Sequence, residues 1–195
     1  MPGTYVENID FLGKAILVAS NFVFSGDSLN IVSTIIDGSS SGNVVTFENG
    51  EDSTSILTGF TVRNGENGIN YDGAGPLISN LIVRGNSRFG IRAASDLTPI
   101  SIEECQIDSN NSSGILVGSY GEVDINNCVV SDNFGMGIDF AGGAQDGRVR
   151  NCIIINNGTY GVYSYYFQLL GTPLIDSCIF EDNETAIWGC FSISN

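Results

Sequence analysis

A six-residue block returns four times in the second half of the sequence, as Ile102-Glu103-Glu104-Cys105-Gln106-Ile107, Ile125-Asn126-Asn127-Cys128-Val129-Val130, Val149-Arg150-Asn151-Cys152-Ile153-Ile154 and Ile175-Asp176-Ser177-Cys178-Ile179-Phe180. Its cysteines fall 23, 24 and 26 positions apart. Two earlier segments, Leu57-Thr58-Gly59-Phe60-Thr61-Val62 and Ile78-Ser79-Asn80-Leu81-Ile82-Val83, carry Phe60 and Leu81 at the cysteine position. Each block leads to an Asn and then to a Gly-aliphatic pair: Asn64 with Gly68-Ile69, Asn86 with Gly90-Ile91, Asn110 with Gly114-Ile115, Asn133 with Gly137-Ile138 and Asn157 with Gly161-Val162. The last block leads to Asn183 with Ala186-Ile187.

A period of this length, holding two or three short apolar runs and no sustained 3.6-residue pattern, excludes helical hairpin repeats. Each period is one turn of a solenoid. Every coil then hydrogen-bonds to the coils above and below at about 4.8 Å, as parallel strands do, and equivalent residues stack in columns. The expected fold is all-β, a right-handed parallel β-helix of about seven to eight coils forming one domain over residues 1–195. Plentiful Gly (25 residues) and scarce Pro (4) fit short strands joined by tight turns.

Each block reads as one strand. Phe60, Leu81, Cys105, Cys128, Cys152 and Cys178 then point inward, as do Val62, Val83, Ile107, Val130, Ile154 and Phe180 two residues on. The cysteine column reads as stacked reduced thiols, because parallel side chains in a column do not offer the torsion a disulfide needs. Cys190 pairs with Cys178 only if the last coil turns back. With no His and no close Cys pair, zinc is not expected. The turn column Asn64, Asn86, Asn110, Asn133, Asn157 and Asn183 is expected to form an inward amide ladder that satisfies buried turn atoms. Of the glycosylation sequons at Asn110, Asn111, Asn157 and Asn183, only Asn111 lies off that ladder.

The segments Pro2-Gly3-Thr4-Tyr5, Ile36-Asp37-Gly38, Val44-Val45-Thr46-Phe47-Glu48-Asn49-Gly50-Glu51 and Leu57-Thr58-Gly59-Phe60-Thr61-Val62 resemble the opening coils of bacterial parallel β-helix repeat proteins of the pectate-lyase-like superfamily. The resemblance runs over nearly the whole chain and implies the fold. It leaves the activity open, since the superfamily holds polysaccharide lyases, glycoside hydrolases, adhesins and extracellular modules without known chemistry. The chain has no His, and the Asn-Thr-Asp, Asp-Asp and Gly-His-Gly motifs of the hydrolases are missing. A lyase mechanism would need an acidic calcium cluster beside an Arg or Lys that takes the proton α to a uronate carboxylate. Arg63, Arg84 and Asp108 fall in one outward column on three consecutive coils and are the candidates for that chemistry, with Glu103, Asp108 and Asp132 as calcium ligands. The structural alternative is a set of exposed ion pairs.

Two further surfaces are candidates for binding. Arg88 and Arg92 follow Arg84 and either grip a sugar carboxylate or sulfate or offset neighbouring acids. In the late coils Val129, Ile153 and Ile179 face outward, and Tyr163, Trp188, Tyr165 and Tyr166 lie on the next face. Such aromatics stack on sugar rings, belong to a protein interface, or sit beneath a covering loop at 165–173.

Seven Lys and Arg against 22 Asp and Glu give a net charge of −15, which repels nucleic acid and anionic membrane surfaces. The apolar stretch Phe11 to Phe24 is interrupted by Lys14, Ser20 and Asn21 and is too short to span a bilayer, so it reads as strands. Neither Met1-Pro2-Gly3-Thr4 nor Phe191-Ser192-Ile193-Ser194-Asn195 reads as a helical cap. Uncapped ends imply a piece of a longer protein or subunits stacked head to tail. The residues thus point to an extracellular or cell-surface, non-catalytic β-solenoid module with a structural or adhesive role, whose partner is itself or a polysaccharide. No cofactor is required, calcium being the one to test. The alternative is a polysaccharide lyase or related carbohydrate-active enzyme acting on uronate polymers.

Overall fold

The computed structural model describes residues 1–94, 99–118, 122–141, 147–165 and 172–194. The chain winds through three parallel sheets of eight strands each. The first sheet runs from Gly3–Val6 to Ile179–Glu181, the second from Ile9–Asp10 to Thr185–Trp188, and the third from Leu17–Ala19 to Ser192–Ser194. A strand of each is visited in turn, and every pairing joins a strand to its equivalent one coil away, as between Ile82–Arg84 and Gln106–Asp108. The winding is the right-handed parallel β-helix expected from the period. Of the eight strands per sheet, the two at the ends have one neighbour and the six between them have two.

The recurring block is not one strand but two, hinged at a single residue. In the block Ile102 to Ile107, Glu103 ends a third-sheet strand, Gln106 begins a first-sheet strand, and Glu104 between them has φ 53°. Asn80, Asn127, Asn151 and Ser177 take the same left-handed conformation at φ 52–53°. One left-handed residue reverses the pleat and turns the chain sharply, so the cysteine beyond it swings inward. Cys105, Cys128 and Cys152 are at most 2% exposed, as is Leu81 above them. Val62, Val83, Ile107, Val130 and Ile154 are wholly buried beside them, each burial contributing about 1.5 to 3 kcal/mol.

The second corner holds the asparagine ladder. Each Oδ1 accepts from the backbone N–H and from Nδ2 of the asparagine one coil earlier: Asn133 from Asn110 at 3.1 and 3.0 Å, Asn157 from Asn133 at 3.2 and 3.0 Å, Asn183 from Asn157 at 3.0 and 3.0 Å. Asn86 begins it, its Oδ1 accepting from Gly65 N–H at 3.0 Å. Asn64 stands outside the ladder, because the strand register aligns Gly65 with Asn86. It takes the left-handed corner position at φ 57°, as Ser109, Asp132 and Asn156 do in later coils, and gives Nδ2 to Asp37. The ladder asparagines are thus selected for their amides, and the residue before each one makes the turn.

The glycines beyond the ladder are required by space. A Cβ on Gly137 would lie 2.6 Å from the Gly161 carbonyl oxygen, 2.9 Å from Ile154 Cγ2 and 3.0 Å from Asn157 Nδ2.

The stretch Phe11 to Phe24 is only partly strand. Leu17–Ala19 enters the third sheet, but Phe22–Ser25 and Leu29–Ser33 are short helices with no buried residue. The second of them lies against the first sheet, where Thr61 Oγ1 donates to the Ile31 carbonyl at 2.9 Å. No helix among the described residues is long and apolar enough to cross a membrane.

Candidate functional site

The outward faces of the three sheets carry different chemistry. On the first sheet, one column runs Asp37, Arg63, Arg84, Asp108 on four successive coils. The expected neighbours Arg63, Arg84 and Asp108 are therefore together, and Asp37 joins them. The column closes on itself as two ion pairs, Arg63 Nε with Asp37 Oδ2 at 3.0 Å and Arg84 Nη2 with Asp108 Oδ1 at 3.3 Å. Asp108 also accepts from Gln106 Nε2 at 2.9 Å and Ser109 Oγ at 2.8 Å. Burial pulls Asp37 upward, but the Ser39 amide, Arg63 and Asn64 outweigh it and hold the carboxyl below its usual range. Both guanidinium groups of the column thus have a carboxylate partner within it.

The calcium candidates are spread over separate elements. Glu103 ends a third-sheet strand and accepts from Ser101 Oγ at 2.9 Å, Asp108 belongs to the first sheet, and Asp132 sits at the corner beyond it, bonded by Asn156 Nδ2. Among the described residues, no three acid, His or Cys side chains are grouped to hold a metal ion. Arg88 and Arg92 each have a partner on a neighbouring coil. Arg88 pairs with Glu66 at 3.2 Å above the Phe89 ring, and Arg92 Nη1 donates to Asn70 Oδ1 at 2.8 Å.

The second sheet gathers the aromatics. Its outward column descends Asn70, Arg92, Leu116, Asp139, Tyr163, Trp188. Tyr163 and Trp188 stack with centroids 4.8 Å apart and planes 9° from parallel, and Tyr160 lies 5.1 Å from Tyr163 and 6.1 Å from Trp188. Trp188 remains 38% and Tyr165 61% exposed. Tyr166 and most of the loop at 165–173 lie outside the described residues. One coil above Tyr163, Asp139 is half-buried, its Oδ1 is buried without a hydrogen-bond partner among the described residues, and burial pushes its carboxyl up to about 6. Composition could not single out Asp139 from 22 acids; the available signal was its position one coil from Tyr163, where the column should have placed it.

The third sheet carries a groove of about 400 Å³, lined by Pro76, Leu77, Ser101, Glu122, Asp124 and Arg148 among others. Ser101, Asp124 and Arg148 are stacked on successive coils. Arg150 clasps Asp124 through Nη2 at 2.6 Å and Nε at 3.2 Å, while Arg148 lines the groove beside them. Sequence reasoning missed this face because it treated the third-sheet and first-sheet strands as one.

The apolar first-sheet column Val129, Ile153, Ile179 does face outward, Ile153 being 38% and Ile179 52% exposed. All five cysteines are unpaired thiols. Cys190 precedes a strand that continues the third sheet in parallel, and it makes no bond to Cys178. Asn110 and Asn157 are buried in the ladder and Asn111 is exposed.

Residues 43–192 match the profile of the family described as right handed beta helix region. No curated protein matches the sequence. Among solved structures, the A-module of an Azotobacter vinelandii mannuronan C-5 epimerase is similar in fold, at 16% identity and a TM-score of 0.44, over 79% of this chain and 56% of that one.

Proposed function

Because the chain belongs to the right-handed β-helix family, we propose that it is a non-catalytic, extracellular β-solenoid module that binds glycans and serves a structural or adhesive role. The observation that carries this reading is the Tyr163–Trp188 stack with Tyr160 against it, half-open on the second-sheet face. Rings held by a hydrogen-bonded sheet lose little entropy on binding, and a sugar's C–H face packs on them while its hydroxyls stay in water. Trp188 is the single tryptophan of the chain, so its fluorescence reports on this face alone. The reading predicts that some glycans in a panel shift that emission saturably and that Tyr163→Ala abolishes the response with the fold intact by circular dichroism. A panel without any saturable response would refute it.

A second reading, a carbohydrate-active enzyme, draws on the third-sheet groove, which Glu122, Asp124 and Arg148 line together. It predicts release of chain ends from a uronate polymer, with or without calcium, and loss of that release in Arg148→Ala. An inert groove leaves the binding module.

A further inference from the structure

The aromatic face has a charge that no described residue balances. Asp139 lies between Leu116 and Tyr163 in the outward column, and its buried Oδ1 meets no donor among the described residues. The cations on that side are turned elsewhere. Arg92, two coils above, gives its guanidinium to Asn70 on the coil beyond, and Arg88 pairs with Glu66. The next residue of the column, Tyr163, brings no positive charge: its phenol is pushed above its ordinary range by burial and by Asp139 itself.

A half-buried carboxylate without a counter-charge is costly, and a cation brought close to it recovers that cost. Tyr163 and Trp188 each cover one face of the other, and a face left uncovered adds attraction for the same charge through the ring quadrupole. Resting on the glycan reading above, we infer that this face takes a cationic amino-sugar chain, with an ammonium seated against the Tyr163 and Trp188 rings in the field of Asp139. A neutral sugar stacks on the rings but leaves the carboxylate unbalanced. A uronate meets Asp139 and a body of net charge −15 and is repelled.

The test is a Trp188 fluorescence titration with three oligosaccharides of equal length: N-trimethylated glucosamine, whose charge is independent of pH, N-acetylglucosamine, and a uronate. At pH 7.5 the cationic chain is expected to bind about tenfold tighter than the acetylated one, with the uronate weakest. Because the Asp139 carboxyl titrates at about 6, the cationic advantage shrinks at pH 5. Asp139→Asn removes one of 22 acids and is expected to collapse the ratio at pH 7.5, whereas attraction to the overall charge would leave it nearly intact. An acetylated chain that binds as tightly as the cationic one, a ratio unmoved by pH, or a ratio unmoved by Asp139→Asn each overturns the inference while the glycan reading stands. Failure of every oligosaccharide, with no response elsewhere in the glycan panel, removes both. The pH arm uses the wild-type protein, so the inference can be refuted even if the variant does not fold.

Discussion

Replacing Asn133 by Ala tests whether the amide ladder holds the coils in register. Its Oδ1 accepts from Asn110 N–H and Nδ2, and its Nδ2 donates to the Ile107 carbonyl and to Asn157 Oδ1, at 3.0 to 3.1 Å. Truncation deletes four hydrogen bonds, but not all of their partners are stranded. Asn110 Nδ2 keeps the Val83 and Asp108 carbonyls, and Asn157 Oδ1 keeps the Asn133 backbone N–H. The Asn110 backbone N–H loses its acceptor at a site 1% exposed, where water does not readily replace it. One stranded buried donor costs about 1 to 3 kcal/mol, and with the remaining lost bonds a total of about 3 kcal/mol follows. In a chain of this size that lowers Tm by about 6 to 12 °C. Asn183→Ala is the internal control, because that ladder end is only half-buried and water can replace its bonds at a cost of about 1 kcal/mol. Urea unfolding gives the energies, and hydrogen exchange at the Asn110 amide gives the mechanism. Equal losses for the two variants, or unchanged protection of that amide in Asn133→Ala, would refute the ladder as the cause.

Three further outcomes are expected. Gly137→Ala forces a methyl against the next coil's carbonyl and side chains, so urea unfolding is expected to show about 1 to 3 kcal/mol of destabilisation even though its backbone dihedrals suit alanine. Folding raises the Asp139 carboxyl from 3.8 to about 6, so its favourable contribution is complete below the lower value and lost as pH rises through the upper one. Asp139→Asn is accordingly as stable as wild type below pH 4 and more stable above pH 6, and parallel melting curves across that window check it. Hydrogen bonding to Cys128 and burial push the Cys152 thiol up to about 12, so a thiolate-seeking alkylating reagent at pH 8 should label it only after unfolding; rapid native labelling, read by mass spectrometry, would contradict its place in the core.

The comparison of Asn64 with Asn86 shows where pattern reading reaches its limit. Both are asparagines shortly after an apolar strand, but a one-residue difference in register puts one in a left-handed corner and the other in the ladder. The block Ile102 to Ile107 misleads in the same way. Its alternation reads as one strand, whereas the left-handed Glu104 divides it between two sheets. That error merged two outward faces and hid the groove at Asp124 and Arg148.

The period, by itself, determined the solenoid, the inward aliphatic and cysteine columns and the amide ladder, because stacking at a fixed spacing repeats residue types in the sequence wherever the core repeats. It also placed Arg63, Arg84 and Asp108 side by side. The tertiary structure decided how such charges are spent: that Arg63 turns to Asp37 and Arg84 to Asp108, while Asp139, one coil above the aromatic stack, keeps a buried oxygen without a donor among the described residues. A repeat specifies which residues are neighbours, but the direction of a long side chain and the desolvation of its charge depend on what the adjacent coils leave exposed.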